Sequence, residues 1–458
     1  MRKTKKVLCL LLCMLMLGMS MSACGSNGDN KSNGKNPTSE GEVEITWWTS
    51  YSIVNTELMQ TVIDRFNELH KGEYHVTLLF AGGTSDLRSK LVNTSEKELP
   101  SMVTGQPIET AYFDAQDIIA TFQDFVDADD EDWTSTTYDV VKESYRNKEG
   151  KFVGWPFGVS CGGWLVNTDM LAKAGYSIDN LTSFEKIAKA AEDMVNKKIA
   201  KYGIAFYTSG AELYDAVTLQ GADFLNNDNG HNGEPTEAIL MEEPTHSVLK
   251  KYLDLFTSLY KNKCAYTFGS DTSGEILPAF VQQNLAIAGC TNSFISRMLS
   301  YNPSFNWTFI PNTAVDDSGE FAGYAIPEGH GTYIINTGDK REMQGAYEVI
   351  KFFAEAENQA YWCANTGYIP YTEEAYNDTT YQDWMISNYP DAVKLKEILL
   401  ATPDTLKIPY TEVAGVVTSA CRNIQEALSE TPEDIESQIE KKNADMNESI
   451  EIYALRRK

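Results

Sequence analysis

The chain has 458 residues, 42% of them hydrophobic, and a formal net charge of −27. That length suits two or three domains or one large two-lobed unit. So acidic a chain is repelled by nucleic acid and by anionic lipid headgroups, which excludes both as partners held by charge.

The first residues are basic: Arg2, Lys3, Lys5 and Lys6. An apolar run follows from Val7 to Leu17, and Ser22 and Ala23 precede Cys24. A basic start, a short greasy stretch and small residues make a secretory signal over residues 1–23. The run falls short of the roughly 20 apolar residues that span a bilayer. It resembles a bacterial lipoprotein signal, although Met21 stands where leucine is usual. The resemblance implies lipidation of Cys24 with acyl chains such as palmitate; a plain secretory signal with an incidental cysteine is the alternative. Residues 24–41, after Cys24 itself, are chiefly Gly, Ser, Asn, Lys, Asp and Pro, with no apolar residue to bury, and read as a coil that tethers a soluble body. An anchor of this kind holds by roughly 0.8 kcal/mol per buried CH2.

The body opens with "EVEITWWTS", in which Val43, Ile45 and Trp47 alternate as in a strand. A helix follows in "NTELMQTVIDRFNELHK", with Asn55 as its cap. "HVTLLF" is a second strand, "TSDLRSKLVN" a helix opening at Ser85 and Asp86, and "SMVTG" a buried third strand. Alternation of strand and helix implies a parallel α/β sheet. Later, "YRNKEGKFVGWPF" reads as a hairpin around Lys148-Glu149-Gly150, and "GWLVN" as a strand. "TDMLAKAG" is a helix closed by Gly175, and "TSFEKIAKAAEDMVNK" a helix with a capping box from Thr182 to Glu185. "YGIAF" and "LAIAG" are short buried strands, and residues 431–453 an amphipathic helix. The pattern is too long for one small sheet, so two α/β lobes are expected. Ligands of such sheets sit beyond the carboxyl ends of strands. That points to "WWTSY" with Trp48 and Thr49, "AGGTSD" with Thr84 and Asp86, "TGQPI" with Gln106, and "GCTNS" with Thr291 and Ser293.

Catalytic signatures are weak. "GVSCG", Gly158 to Gly162, matches G-x-S-x-G, but that motif needs a strand-to-helix turn and here a strand follows Ser160. "DADDEDW" lacks the glycine and distal glutamate of a calcium loop, and no phosphate loop or zinc motif occurs. No catalytic, metal or cofactor site is implied. Beyond the signal and Cys24 lie Cys161, Cys264, Cys290, Cys363 and Cys421, unpaired by spacing and read as buried thiols. What stands out is aromatic residues in polar, glycine-rich settings, Trp48, Phe157, Tyr207 and Tyr368 among them. Aromatic faces pack on sugar C–H faces while amides, hydroxyls and carboxylates bond the ring hydroxyls. Trp47 shares a face with Ile45 and reads as core, which leaves Trp48 as the pocket candidate.

These motifs, in this order, resemble the extracellular solute-binding lipoproteins of ABC importers, the family of the maltose- and glycerol-3-phosphate-binding proteins. "EITWWTS", "LVNTSEKELPSMVTG", "EGKFVGWPFGVSCGGWLVNTDMLAKAG" and "NTGYIPYTEEAY" carry the likeness. It implies a two-lobed periplasmic-binding-protein-like (type II) α/β fold with a hinge and an interlobe ligand cleft. Lobe 1 would be 42–158 plus 331–365, and lobe 2 would be 159–330 plus 366–458. The likeness gives ligand-binding roles to Tyr368, Gly331, Ser160, Thr291 and Ser293, and places Thr84 and Gln106 near the site. Lys407 in "LKIPY" stands for an arginine that would pair with phosphate; lysine lacks that bidentate fork. The function implied is capture of a small polar solute, a sugar or oligosaccharide first, and its delivery to membrane permease subunits by a monomeric, lipid-anchored receptor. The alternatives are a receptor for glycerol 3-phosphate or another anionic solute and, remotely, a serine hydrolase using Ser160.

Overall fold

The computed structural model describes residues 41–51, 53–207, 209–267 and 272–456. The signal, Cys24 and nearly all of the tether lie outside the described residues. Among the described residues no helix is long and apolar enough to cross a membrane.

Among the described residues nine strands form two sheets. They are β1 (Val43–Thr49), β2 (Tyr74–Phe80), β3 (Met102–Gly105), β4 (Trp155–Ser160), β5 (Gly162–Asn167), β6 (Tyr202–Ala205), β7 (Leu285–Thr291), β8 (Trp307–Pro311) and β9 (Glu328–Ile334). The first sheet has the order β2-β1-β3-β9-β4 and the second β6-β7-β5-β8. In the first, β1 runs parallel to β2 and β3, joined by the helices Ile53–Leu69 and Thr84–Asn93. The expected parallel sheet stops there. β9 pairs antiparallel with both β3 and β4, because it returns from the second sheet and enters from the opposite direction. The second sheet is mixed in the same way, with β5 antiparallel to β7 and β8.

Alternation along β1 sorts its side chains. Ile45 and Trp47 enter a core with Met59, Phe66 and Phe353. Trp48 enters a separate cluster on the other face with Leu87, Leu91, Val103 and Phe113. The helix Phe184–Asn196 buries Ile187, Ala191 and Met194 at helical spacing against the second sheet. Its cap is Ser183, one residue after the expected Thr182, whose hydroxyl instead donates to Asp317. The first helix likewise begins at Ile53, which puts Asn55 inside it. The helix Thr84–Asn93 starts at Gly83, whose N–H donates to Asp86 Oδ2 at 3.0 Å. Gly175, at φ +90°, closes the helix Thr168–Ala174. The helix Ile435–Arg456 buries Ile439, Met446 and Ile450 in the second core, beside the helix Ala414–Glu430.

The chain leaves the first sheet after Ser160 and enters the second at Gly162, with only Cys161 between. It returns between β8 and β9, so His330 already belongs to the first sheet. A third strand-like passage lies alongside, where Ile369 N–H donates to the Val159 carbonyl at 2.9 Å. Asn292, fully buried, joins these passages. It accepts from Cys161 N–H at 2.8 Å and donates to the Gly367 carbonyl at 2.6 Å. Gly329, at φ +113°, passes so close to the Gly158 carbonyl that a Cβ there would clash with backbone. All five described cysteines are buried and free.

Candidate functional site

Where the passages meet, four rings gather. Tyr51 follows β1 in a turn fixed by its N–H to Thr49 Oγ1 at 3.2 Å. Its ring lies 4.3 Å from His330, 5.3 Å from Trp362 and 6.2 Å from Tyr368. Trp362 stacks on Tyr368 at 5.9 Å. The rings close around Gly158, where a Cβ would stand 3.0 to 3.2 Å from Trp362 Nε1, Tyr368 Cδ2 and the Tyr51 hydroxyl. Among the described residues His330 Nδ1 and Trp362 Nε1 are buried without a hydrogen-bond partner, and the buried Tyr51 hydroxyl has only that of Tyr368 beside it. Buried polar atoms are rarely left so, and a cluster of them marks a place that a polar guest or ordered water completes. Burial holds His330 at about 4, so its imidazole is neutral at physiological pH.

Three carboxyls lie on the side of the second sheet. Glu212 and Asp215 belong to the helix Ala211–Leu219, which is buried all round from Glu212 onward. Glu328 opens β9 in register with Ser160. Glu212 accepts from Tyr207 N–H, and Asp215 Oδ2 accepts from Asn312 Nδ2 at 2.7 Å. Glu212 Oε2, Asp215 Oδ1 and Asn312 Oδ1 have no partner. Burial pushes Glu212 up to about 8 and Glu328 to about 7. Burial, then the nearby Glu328, raises Asp215 well above the carboxylate range. Among the described residues none of the three is in an ion pair with lysine or arginine. They are therefore held toward the neutral form, which donates a hydrogen bond as well as accepting them.

At the edge of this floor, Thr291 Oγ1 and Ser293 Oγ are 2.6 Å apart. One turn further, Arg297 stands over the Phe294 ring; burial raises Tyr207 and Tyr368 above the usual phenol range, and the nearby guanidinium offsets this only in part. The sheets' flanking elements also touch away from the hinge. Lys148 pairs with Glu234 at 3.0 Å. A cavity of about 570 Å³ lies between the helix Thr84–Asn93 and the helices Ala414–Glu430 and Ile435–Arg456. Arg88, paired with the buried Glu109 at 3.2 Å, reaches across it toward Gly415.

The residues singled out from sequence divide accordingly. Tyr368, Ser160, Thr291 and Ser293 lie at or beside the hinge floor. Thr84 is half-buried at the start of its helix, and Asp86 is spent on the Gly83 N–H. Gln106 is exposed, its N–H bound to Glu109 Oε2 at 2.9 Å. Trp48 is 3% exposed in the third core cluster with the Lys90 ammonium 3.9 Å from its ring, so it packs a helix on the sheet instead of lining the floor. Thr49 is fully buried, its hydroxyl serving the Tyr51 turn. Phe157 is core, in edge contact with Trp47 at 5.2 Å. Gly331 faces Tyr145, which a Cβ would strike, while its neighbour His330 meets Tyr51. Lys407 is paired with Asp228. Ser160 is in an extended strand, not on a strand-to-helix elbow, and among the described residues no histidine hydrogen-bonds it. Asn292, Glu212, Asp215, Glu328, Tyr51 and His330 were missed. For Glu212 and Asp215 a signal existed: three-residue spacing on a short helix whose other positions are nearly all apolar.

A family model for bacterial extracellular solute-binding proteins matches residues 61–388. The chain belongs to that family. It is a solute-binding protein of an ABC import system. The sn-glycerol-3-phosphate-binding periplasmic protein UgpB of Yersinia enterocolitica is 25% identical over 378 residues, covering 81% of this chain and 82% of that relative. Among solved structures, the GacH receptor of Streptomyces glaucescens, studied with acarbose, has a TM-score of 0.69 at 15% identity. It covers 90% of this chain and 98% of its own. UgpB of Mycobacterium tuberculosis, in complex with glycerophosphocholine, also has a TM-score of 0.69 at 15% identity, covering 91% and 99%. At these identities the structures speak to the fold, which is the two-lobed mixed α/β architecture of periplasmic binding proteins. Members of this family bind small-molecule solutes and are not enzymes.

Proposed function

We propose that this receptor captures a neutral sugar or oligosaccharide at the hinge floor and hands it to membrane permease subunits. The observation that carries the reading is the floor itself: aromatic rings beside three carboxyls biased toward the neutral form. Neutral acids and phenols donate to hydroxyl groups, and ring faces cover sugar C–H surface. A phosphate would lack the cation offered for it, because Lys407 is held by Asp228. The lobes are the segments around the two sheets, with passages at Cys161, between Pro311 and Glu328, and near Gly367. Solute bound to both lobes favours the closed arrangement by its differential affinity for it. Tethering through a lipidated Cys24 would keep a monomeric receptor beside its permease.

One observation favours a second reading. Arg297 stands over the Phe294 ring and, among the described residues, is in no ion pair, which suits it to an anionic group. A thermal-shift panel of mono- and oligosaccharides against glycerol 3-phosphate separates the two. At about 100 times Kd a ligand adds about 2.7 kcal/mol of stability. Stabilisation by a neutral saccharide that persists in Arg297→Gln supports the sugar reading. Stabilisation by glycerol 3-phosphate alone, lost in Arg297→Gln, replaces it with the anionic one.

Tyr368→Phe keeps the stacked ring and deletes only the hydroxyl. Saccharide affinity is expected to fall by about 0.5–1.5 kcal/mol in calorimetry, with the urea midpoint little changed. Unaltered affinity would place the ligand elsewhere.

A further inference from the structure

Away from the hinge floor, a groove of about 450 Å³ opens between the helix Phe294–Tyr301, the start of β8 and the segment 382–391. Its size lies within the range of small-ligand sites. A π-helical turn, Gln382–Ile386, carries Trp384 outward, 44% exposed. Such turns disturb regular helix hydrogen bonding and often occur at functional positions. Trp307 and Tyr389 form a second wall, stacked at 5.2 Å and 9°. Tyr389 is fixed from behind, its hydroxyl accepting from Phe309 N–H at 2.8 Å. Asn302, Asn388 and Asp391 line the same groove. Asn388 Nδ2 donates to the Trp384 carbonyl at 2.6 Å, which sets its amide beside the indole. Asp391 is fixed on both oxygens, Oδ2 accepting from Thr308 Oγ1 at 2.9 Å and Oδ1 paired with Lys394 at 2.9 Å, which leaves each a further lone pair.

We infer that this groove is a second, outer binding site for a carbohydrate, with a sugar ring stacked on Trp384 and its hydroxyls bonded by Asn388, Asn302 and Asp391. The chemistry selects that class. A phosphate or nucleotide would meet Asp391, none of the groove's lining residues is a lysine or arginine, and the nearby Lys394 is already paired with Asp391 at 2.9 Å. An alkyl chain would gain from the indole and leave two amides and a carboxylate without use. A pyranose uses both, since it has an apolar face and a polar edge. The inference does not depend on what the hinge floor binds.

The test uses the mature chain labelled with 5-fluorotryptophan, with the Trp384 fluorine resonance assigned through Trp384→Phe. Titration with maltotetraose, and in a parallel arm cellotetraose, is expected to move the Trp384 resonance, with or without the Tyr368→Phe change. Glycerol 3-phosphate is expected to leave it still. Trp384→Ala should weaken saccharide binding at the groove, followed by the fluorine resonance of Trp307, by roughly tenfold. Because Trp384 is exposed, the fold should survive, and Trp384→Phe, with a smaller ring, should give an intermediate loss. A Trp384 resonance that stays fixed up to the solubility limit of both saccharides overturns the inference. So does a resonance that follows protein concentration instead of saccharide, which would assign the groove to self-association.

Discussion

Trp48→Ala is expected to lower the stability of the protein by about 3–5 kcal/mol. The indole is 3% exposed and sits among Leu87, Leu91, Val103 and Phe113, where the helix Thr84–Asn93 lies on the first sheet. Its removal leaves a cavity that β1 and β3 cannot collapse into, since both are held by the register of the sheet. The Lys90 ammonium over the ring adds about 0.5–1 kcal/mol that is lost as well. Urea unfolding should show a lower midpoint at unchanged slope. A midpoint within the range of ordinary surface substitutions, together with a large loss of ligand affinity, would return Trp48 to the binding site.

The second large effect is on pH dependence. Glu212 is raised to about 8 and Glu328 to about 7 by burial. A carboxyl whose folded pKa lies above its unfolded value holds more protons when folded. Its contribution to stability is fully present below about pH 4.5 and is lost as pH rises through 7 to 8. Asp129 and Glu373 act in the opposite sense. Hydrogen bonds from Lys351 and Tyr347 outweigh the burial that would raise Asp129, and those from Lys396 and Tyr138 lower Glu373, each to about 2. Their contribution is present above about pH 4 and is lost as pH falls toward 2. His330, held at about 4 by burial, opposes Glu212 and Glu328 in part, since its contribution is present above about pH 6.5 and is lost as pH falls toward 4. With the two carboxyls outweighing it, stability should peak in mildly acidic solution and fall by roughly 2–4 kcal/mol between about pH 5 and about pH 8.5. Glu212→Gln with Glu328→Gln should flatten the alkaline side and leave the acid side intact. A wild-type protein equally stable at both ends of that range would show that these carboxyls are ionised in the fold.

Much of the architecture is legible from local pattern. Alternation in "EVEITWW" and helical spacing in "TELMQTVIDRF" give β1 and its helix because both patterns are set by neighbours in sequence. The direction of β9 is not local. It follows from where the chain returns after the second sheet, and no periodicity within residues 328–334 carries that. The opposite faces of Trp47 and Trp48 are legible, but which face looks to ligand is not, because the sheet is covered on both sides. At the site, Thr291 and Ser293 are visible as polar residues after a buried strand. Asn292 between them reads as an ordinary turn residue, and its bonds to Cys161 and Gly367 exist only once distant segments meet. Lys407 has the right chemistry for an anion, yet Asp228, 179 residues earlier, claims it.

The amide of Asn292 has a mechanical consequence. It grips two of the strands that pass from one half of the molecule to the other, at a place where one of them has a single residue to spare. Any swing of the halves must pivot about that pin, so atoms there travel least and atoms at the far rim travel most. The Lys148–Glu234 pair, made away from that pin, is then among the contacts that a small angular change separates first.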